Sequence, residues 1–206
     1  MTIIINYNLG NPKSIQNMLA YLGIESRISA NHEDIASADR LILPGVGHFQ
    51  RGMEQLEQLG LIDVLMKEVL ENKKPILGIC LGMQLLTKHS EEGNLAGLGF
   101  IDAQTKKFEL KDVTLKVPHM GWNNVYQRED HPIWHRIADG SRFYFVHSYF
   151  VKAQYEASVI GSADYGFPFD AVIQQDNIVA TQFHPEKSAA SGLQLLQNFV
   201  AWDGNQ

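Results

Sequence analysis

The stretch Gly78-Ile79-Cys80-Leu81-Gly82 sets the single cysteine of the chain between glycines in the pattern G-x-C-x-G. It follows a short apolar run and precedes a helical pattern. That is the arrangement of a nucleophile elbow, with sulfur in place of the serine oxygen. A turn this tight leaves no room for flanking side chains. It also exposes the nucleophile at the carboxyl edge of a sheet, where open α/β folds bind their ligands. The helix N-terminus beneath the thiol favours its thiolate form. A free cysteine is more often an ordinary buried apolar residue; the strand–glycine–helix context is what argues for chemistry here.

A thiolate that performs acyl transfer needs a base and a group that orients the base. His184-Pro185-Glu186 contains both. The proline biases His184 towards an extended conformation, and in an extended segment residues i and i+2 face the same way, so both side chains are expected to address one site. The other histidines are weaker candidates. His131 and His135 stand four apart, but Pro132 and the lack of a third ligand argue against a metal pair. His32, His48 and His89 read as solvated, and His119 and His147 as packed and hydrogen-bonded. Attack on a carbonyl creates an oxyanion, which backbone N–H groups usually stabilise. The N–H of Leu81 is one expected donor, and Pro44-Gly45-Val46-Gly47, at the end of an apolar strand, is suited to supply another from Val46 or Gly47.

The elements that must position these groups can be read from periodicity. Ile3 to Tyr7 is a β-rich run. Asn11-Pro12 then gives a helix N-cap with proline at the first position, and Ile15, Met18, Leu19 and Leu22 fall on one helical face that ends at Gly23. Strands are expected at Glu25–Ser29, at Leu41–Leu43 and at Ile76–Ile79. A helical stretch from Phe49 to Asn72, broken near Gly60, lies before the last of these, and a helix should begin directly after Cys80. Repeated β–α units with continuously apolar strands argue for a parallel sheet covered on both faces. In the second half, strands are expected at Gln104–Leu110, Thr114–Val117, Phe143–Val151, Ala157–Ser162, Ala171–Gln175 and Ile178–Phe183. Gln174-Gln175-Asp176-Asn177 supplies a hairpin turn. A closing helix carries Leu193, Leu196 and Val200 up to Trp202. The fold class is therefore α/β: a mainly parallel open sheet flanked by helices, with an antiparallel β extension in the C-terminal half. No repeat or linker is visible, so residues 1–206 are expected to form one domain.

Composition narrows the class. The chain has 206 residues, with 17 Lys+Arg against 23 Asp+Glu, a formal charge of −6. With 45% hydrophobic residues it lies far from the disorder regime. The acidic balance gives no basic footprint for nucleic acid or anionic lipid, and no apolar run approaches the ~20 residues of a membrane span. The start, Met1-Thr2-Ile3-Ile4-Ile5-Asn6, reads as a strand rather than a signal peptide. One cysteine allows no internal disulfide and no Cys-rich zinc site. A cytoplasmic enzyme without metal or cofactor is expected.

Gly78-Ile79-Cys80-Leu81-Gly82-Met83-Gln84 together with Gln182-Phe183-His184-Pro185-Glu186 resembles the glutaminase domain of the triad-type (class I) glutamine amidotransferases. Three further stretches carry the resemblance on: Tyr7-Asn8-Leu9-Gly10-Asn11-Pro12-Lys13-Ser14, Pro118-His119-Met120-Gly121-Trp122-Asn123 and Tyr144-Phe145-Val146-His147-Ser148-Tyr149. With Pro44-Gly45-Val46-Gly47 they are similar to the glutaminase subunits of imidazole glycerol phosphate synthase, an enzyme of histidine biosynthesis, over essentially the whole chain.

The resemblance implies that Cys80 attacks the side-chain amide of L-glutamine, that His184 handles protons and that Glu186 orients His184. It implies that Gln84 and Glu92 hold the α-amino end of glutamine, while backbone at Ser148 and Tyr149 takes its carboxylate. Read without the resemblance, Glu92 is one more surface acid. The implied partner is a (β/α)8-barrel cyclase subunit, with which ammonia and a ribulosyl-aminoimidazole-carboxamide nucleotide give imidazole glycerol phosphate and the aminoimidazole-carboxamide ribotide. Met120, Trp122, Asn123, Tyr144 and Lys187 match positions at or near the docking face for that partner, although Trp122 would suit a core equally well. Asn6 stands where family members commonly carry Asp, which puts loop anchoring or partner coupling in question rather than the chemistry.

Three other readings compete. The same glutaminase could feed a sugar amidotransferase of surface-polysaccharide biosynthesis. The chain could be a stand-alone cysteine hydrolase of the same sheet architecture. It could be a non-catalytic regulatory subunit, which the intact Cys80, His184 and Glu186 set argues against.

Overall fold

A computed structural model describes the chain from Met1 to Asn205. Its first half alternates strand and helix: β1 (Thr2–Ile5), α1 (Pro12–Tyr21), β2 (Ser26–Ser29), α2 (His32–Ser37), β3 (Arg40–Leu43), α3 (Phe49–Gln58), α4 (Leu61–Met66), β4 (Ile76–Ile79) and α5 (Leu81–Leu85). Local chemistry sets the helix ends. Asn11 accepts from the Ser14 N–H at the start of α1, with Pro12 at the first helical position. Gly60, at φ +65°, separates α3 from α4, and a π turn over Lys67–Glu71 completes that helical stretch. The six-residue α2 was not expected from periodicity. It is nucleated by Asn31, whose side-chain oxygen accepts from Glu33 and Asp34 N–H.

The second half adds β5 (His89–Ser90), β6 (Leu95–Ala96), β7 (Ala103–Lys107), β8 (His119–Gln127), β9 (Ser141–His147), β10 (Tyr149–Ala153), β11 (Val159–Asp164), β12 (Pro168–Gln175), β13 (Ile178–Thr181) and α6 (Ala189–Ala201). The strand path runs β2-β1-β3-β4-β13-β12-β10-β7-β5-β6, with β11 on β12, β8 on β11, and β9 on β8. From β2 to β13 the pairing is parallel. Beyond β13 it is antiparallel, except for β5 on β7. The expected hairpin joins β12 to β13, with Gln175 opposite Ile178 and Asp176 at φ +51°.

Both faces of β1, β3, β4 and β13 are buried, as their apolar runs require, whereas the edge strand β2 is only partly covered. Ile3, Ile5, Leu41, Leu43 and Ile76 pack against α2 to α5 through residues such as Ile35, Phe49, Leu56, Leu61 and Leu85. Ile4, Ile42, Leu77 and Ile79 pack on the other side against Ile15 and Leu19 of α1 and Leu195, Leu196 and Phe199 of α6.

Two expected strands differ. Thr114–Val117 is not a strand. Asp112 accepts from both the N–H and the hydroxyl of Thr114, which turns the chain locally, and Val113 and Val117 stay exposed. Phe143–Val151 is two strands rather than one, broken at Ser148. β9 pairs with β8, whereas β10 pairs with β7 and β12, so the two halves serve different neighbours. Among the described residues no helix is long and apolar enough to cross a membrane, and no group of three or more His, Cys, Asp and Glu could hold a metal ion.

Candidate active site

Cys80 lies between β4 and α5, with φ +53° and ψ −107°. A non-glycine residue there is strained, and such strain persists only where the surroundings over-determine it. Here the Cys80 N–H is held by the Thr181 carbonyl at 2.7 Å and its carbonyl starts α5 by accepting from Gln84. The flanking glycines have specific reasons. A Cβ on Gly82 would overlap the Leu43 carbonyl of β3, and one on Gly78 would sit 2.7 Å from Leu86 Cδ1 and 3.1 Å from the Met83 backbone. Gly82→Ala is expected to lower stability by about 1–3 kcal/mol through overpacking, read as a shift of the denaturant midpoint at unchanged slope.

His184 is brought to the same edge by the end of β13. Its N–H donates to the Tyr144 carbonyl at 2.9 Å, and its carbonyl accepts from Ser188 Oγ at 2.6 Å. Nδ1 lies 2.7 Å from Glu186 Oε1, with both side chains buried. The expectation that both residues face one site holds, but the route differs. His184 itself is extended, whereas Pro185–Lys187 is a 3-10 turn, and it is this turn rather than strand alternation that returns Glu186 to the ring. Nε2 is buried without a hydrogen bond of ordinary geometry. Burial alone pulls the imidazole down, but the adjacent Cys80 sulfur and the Glu186 carboxylate outweigh it and push His184 up to about 10. The ring therefore holds its proton at neutral pH, next to the sulfur.

Above the thiol lies a cavity of about 280 Å³ lined by Val46, Gly47, Leu81, Gln84, Glu92, Ser148 and Tyr149 together with Cys80. Every oxyanion and substrate candidate thus reaches one cavity. The Leu81 N–H is the first of its helix and has no intrahelical acceptor. The Pro44–Gly47 loop is pinned by Tyr7, whose hydroxyl donates to the Pro44 carbonyl at 2.6 Å, and a Cβ on Gly45 would collide with that hydroxyl and approach Leu81 Cβ to 2.7 Å. Gln84 spends its amide N–H groups inside, on the Tyr149 carbonyl at 3.1 Å and Gln182 Oε1 at 3.3 Å. Its carbonyl oxygen is left as the acceptor suited to an ammonium. Glu92 is no free surface acid: Oε2 accepts from the first N–H of α3, at Phe49, and Oε1 meets His48 Nδ1 at 2.9 Å.

Two contributors were not assigned from sequence. Gln182, fully buried, directs Nε2 at the Cys80 sulfur at 3.8 Å. Tyr7, fully buried, has a hydroxyl pushed up by burial and by the Cys80 charge. Both stand in the motifs quoted above, but their roles arise from contacts across the fold. Asn6 accepts the Asn8 N–H at 3.3 Å, a turn bond that amide and carboxylate oxygens make alike.

The five docking candidates divide. Met120 is 62% and Trp122 45% exposed, so Trp122 is not a core residue. Trp122 and Tyr144 meet edge-on at 6.1 Å, and Lys187 Nζ lies 5.9 Å over the Tyr144 ring. Asn123 points to the opposite side of β8, where Nδ2 donates to the Asp164 carbonyl at 2.7 Å and faces His119 Nε2 at 3.3 Å. The exposed patch adjoins the His184–Ser188 segment, because the Tyr144 N–H donates to Ser188 Oγ.

Residues 3–202 match the family model described as glutamine amidotransferase class-I. The chain belongs to this family. Among class I amidotransferase relatives, one from Methanococcus maripaludis named "Imidazole glycerol phosphate synthase subunit HisH 2" is 48% identical over 200 residues, covering 97% of this chain and 98% of that protein. A protein of the same name from Pseudomonas aeruginosa is 47% identical with the same coverage. "Imidazole glycerol phosphate synthase subunit HisH 1" from Campylobacter jejuni is 48% identical over 201 residues, covering 97% and 99%. Among solved structures, one described as a glutamine amidotransferase superposes with a TM-score of 0.76 at 19% identity, covering 97% of each chain. The structure of PurLQS from Thermotoga maritima gives 0.74 at 15%, also over 97% of each chain. At these identities the structural likeness bears on the fold alone, which is that of the class I amidotransferases.

Proposed function

We propose that this chain is the glutaminase subunit of an imidazole glycerol phosphate synthase, releasing ammonia from L-glutamine for a cyclase subunit of (β/α)8-barrel fold. The observation that carries the reading is Cys80 in the wall of a cavity sized for an amino acid, backed by the buried His184–Glu186 pair. The names of relatives near half identical over the full length support the choice of partner.

In this mechanism the Cys80 thiolate attacks the γ-carbonyl carbon of glutamine. The oxyanion is met by the N–H of Leu81 and of Val46 or Gly47. His184, protonated and oriented by Glu186, gives its proton to the departing amide nitrogen, and ammonia leaves. The now neutral ring takes a proton from water, whose oxygen attacks the γ-glutamyl thioester. Glutamate leaves, and thiolate and imidazolium are restored. Gln84 and Glu92 hold the ammonium end of the substrate, and the backbone at Ser148 and Tyr149 holds its carboxylate. Ammonia in neutral water is mostly protonated and unreactive, so a partner seated beside the site is chemically favoured. The exposed Met120, Trp122, Tyr144 and Lys187 patch, continuous with the His184–Ser188 segment, serves as that seat.

Co-purification tests the reading. The chain is expected to travel with a barrel cyclase and, with it, to make imidazole glycerol phosphate from glutamine. Trp122→Ala is expected to weaken the complex by about 2 kcal/mol, roughly thirtyfold in Kd, as a central aromatic anchor does. Steady glutaminase activity that an added cyclase leaves unchanged would instead mark a stand-alone hydrolase. A second reading keeps the chemistry but delivers ammonia to a sugar amidotransferase. A co-purifying sugar synthase in place of the cyclase would establish it.

A further inference from the structure

Two buried histidines lie outside the catalytic set yet touch its wall. His147 Nδ1 is 2.7 Å from the Tyr149 carbonyl, His147 Nε2 is 3.0 Å from His119 Nδ1, and His119 Nε2 is 3.3 Å from Asn123 Nδ2. A carbonyl only accepts, so His147 Nδ1 carries a proton and donates it. Burial holds both rings far below ordinary imidazole behaviour, His147 at about 3 and His119 at about 4, so each is neutral. With Nδ1 protonated, His147 Nε2 must accept; His119 Nδ1 therefore donates, and His119 Nε2 accepts from Asn123. One direction of hydrogen bonding satisfies the whole chain.

Its inner end is placed for function. The same Tyr149 carbonyl accepts from Gln84, whose amide also reaches Gln182, and Gln182 faces the sulfur. The Val146 carbonyl, from the same segment as His147, lies 3.8 Å from the sulfur. The outer end is β8, the strand whose opposite face exposes Met120 and Trp122. We propose that His119 and His147 are positioning residues for glutamine: a directional imidazole pair through which β8 fixes the Tyr149 carbonyl, and with it the Val146–Tyr149 wall of the substrate pocket. The assignment rests on the glutaminase reading above.

Two substitutions separate positioning from packing. The His119 ring stacks on Tyr165 at 4.0 Å and on Phe145 at 4.8 Å. His119→Phe keeps a stacking ring but removes the donor to His147. His119→Asn loses the ring but keeps an N–H near the Nδ1 position. In the complex, His119→Phe is expected to raise KM for glutamine about tenfold, the scale of one buried acceptor left unpaired. His119→Asn should stay within about twofold of the wild type, and both should leave ammonia-dependent synthesis unchanged. Stability is expected in the reverse order, with His119→Asn the less stable. A KM that follows stability, or a His119→Phe variant with unchanged KM, overturns the proposal. Ring nitrogen NMR of the wild-type chain decides independently of activity and of how the variants fold. Both histidines should show the Nδ1–H tautomer, and Nε2–H on either overturns it. If the wild type hydrolyses no glutamine, the glutaminase reading falls, while the tautomers still judge the pair.

Discussion

Cys80→Ala is expected to abolish glutamine-dependent synthesis by the complex while synthesis from added ammonium salt continues at its wild-type rate. The physical reason is the separation of the two chemistries. Bond cleavage at the glutamine amide needs a nucleophile that forms an acyl intermediate, and Cys80 is the single cysteine of the chain. An alanine there has nothing to attack with, and water held in the same cavity lacks both the nucleophilicity of sulfur and its geometry. In the proposed complex the partner's reaction consumes ammonia whatever its source. The substitution is sterically mild, because it removes one sulfur atom and keeps the Cβ that the strained elbow already accommodates. Assembly should therefore survive, as gel filtration of the two subunits can verify. Loss of both activities in an assembled complex would mean that Cys80 acts on something other than ammonia release.

His184→Ala carries the second large effect. General acid–base catalysis by a positioned group contributes about 10²–10⁴-fold, and in the proposed cycle His184 acts in both halves, so a fall of about 10³-fold or more in glutamine hydrolysis is expected. The pH dependence gives the sign. Burial opposes protonation of this ring, but the Cys80 sulfur and Glu186 push it up to about 10. The protonated form that donates to the leaving nitrogen is thus present through neutral pH, and wild-type hydrolysis should decline as pH rises through about 10. His184→Ala should lack that alkaline limb. The same raised value stabilises the fold: its contribution is fully present below the ordinary histidine value of about 6.5 and is lost as pH rises through about 10. Cys80→Ala removes one of the charges that raise the ring and should move this loss to lower pH.

The parts of the site that depend on short-range pattern were legible in the sequence. G-x-C-x-G after an apolar strand could be read because the glycines answer to local collisions, with the Leu43 carbonyl and with Leu86 and Met83. Asn11-Pro12 and the break at Gly60 were readable because caps and left-handed residues act within a few positions. Glu186 was placed correctly beside His184 although a 3-10 turn, not an alternating strand, does the placing. What stayed hidden is long-range. The break at Ser148 exists because β9 and β10 answer to different neighbours, and neither neighbour is marked in the run Phe143–Val151. Gln182 and Gln84 meet across 98 positions, and His119 and His147 across 28. Asn123 read as a neighbour of Trp122 on the docking strand, but the period-two geometry of β8 turns it inward to His119.

The covalent step is where the mechanism is most exposed to test. The complex is mixed with glutamine, quenched in acid within its first turnovers, and the peptide that carries Cys80 is weighed by mass spectrometry. A γ-glutamyl group on Cys80, present with glutamine, absent with glutamate or ammonium salt and discharged by hydroxylamine, is the predicted result. Rapid hydrolysis of glutamine with Cys80 unmodified at every quench time, or persisting in Cys80→Ala, would contradict it.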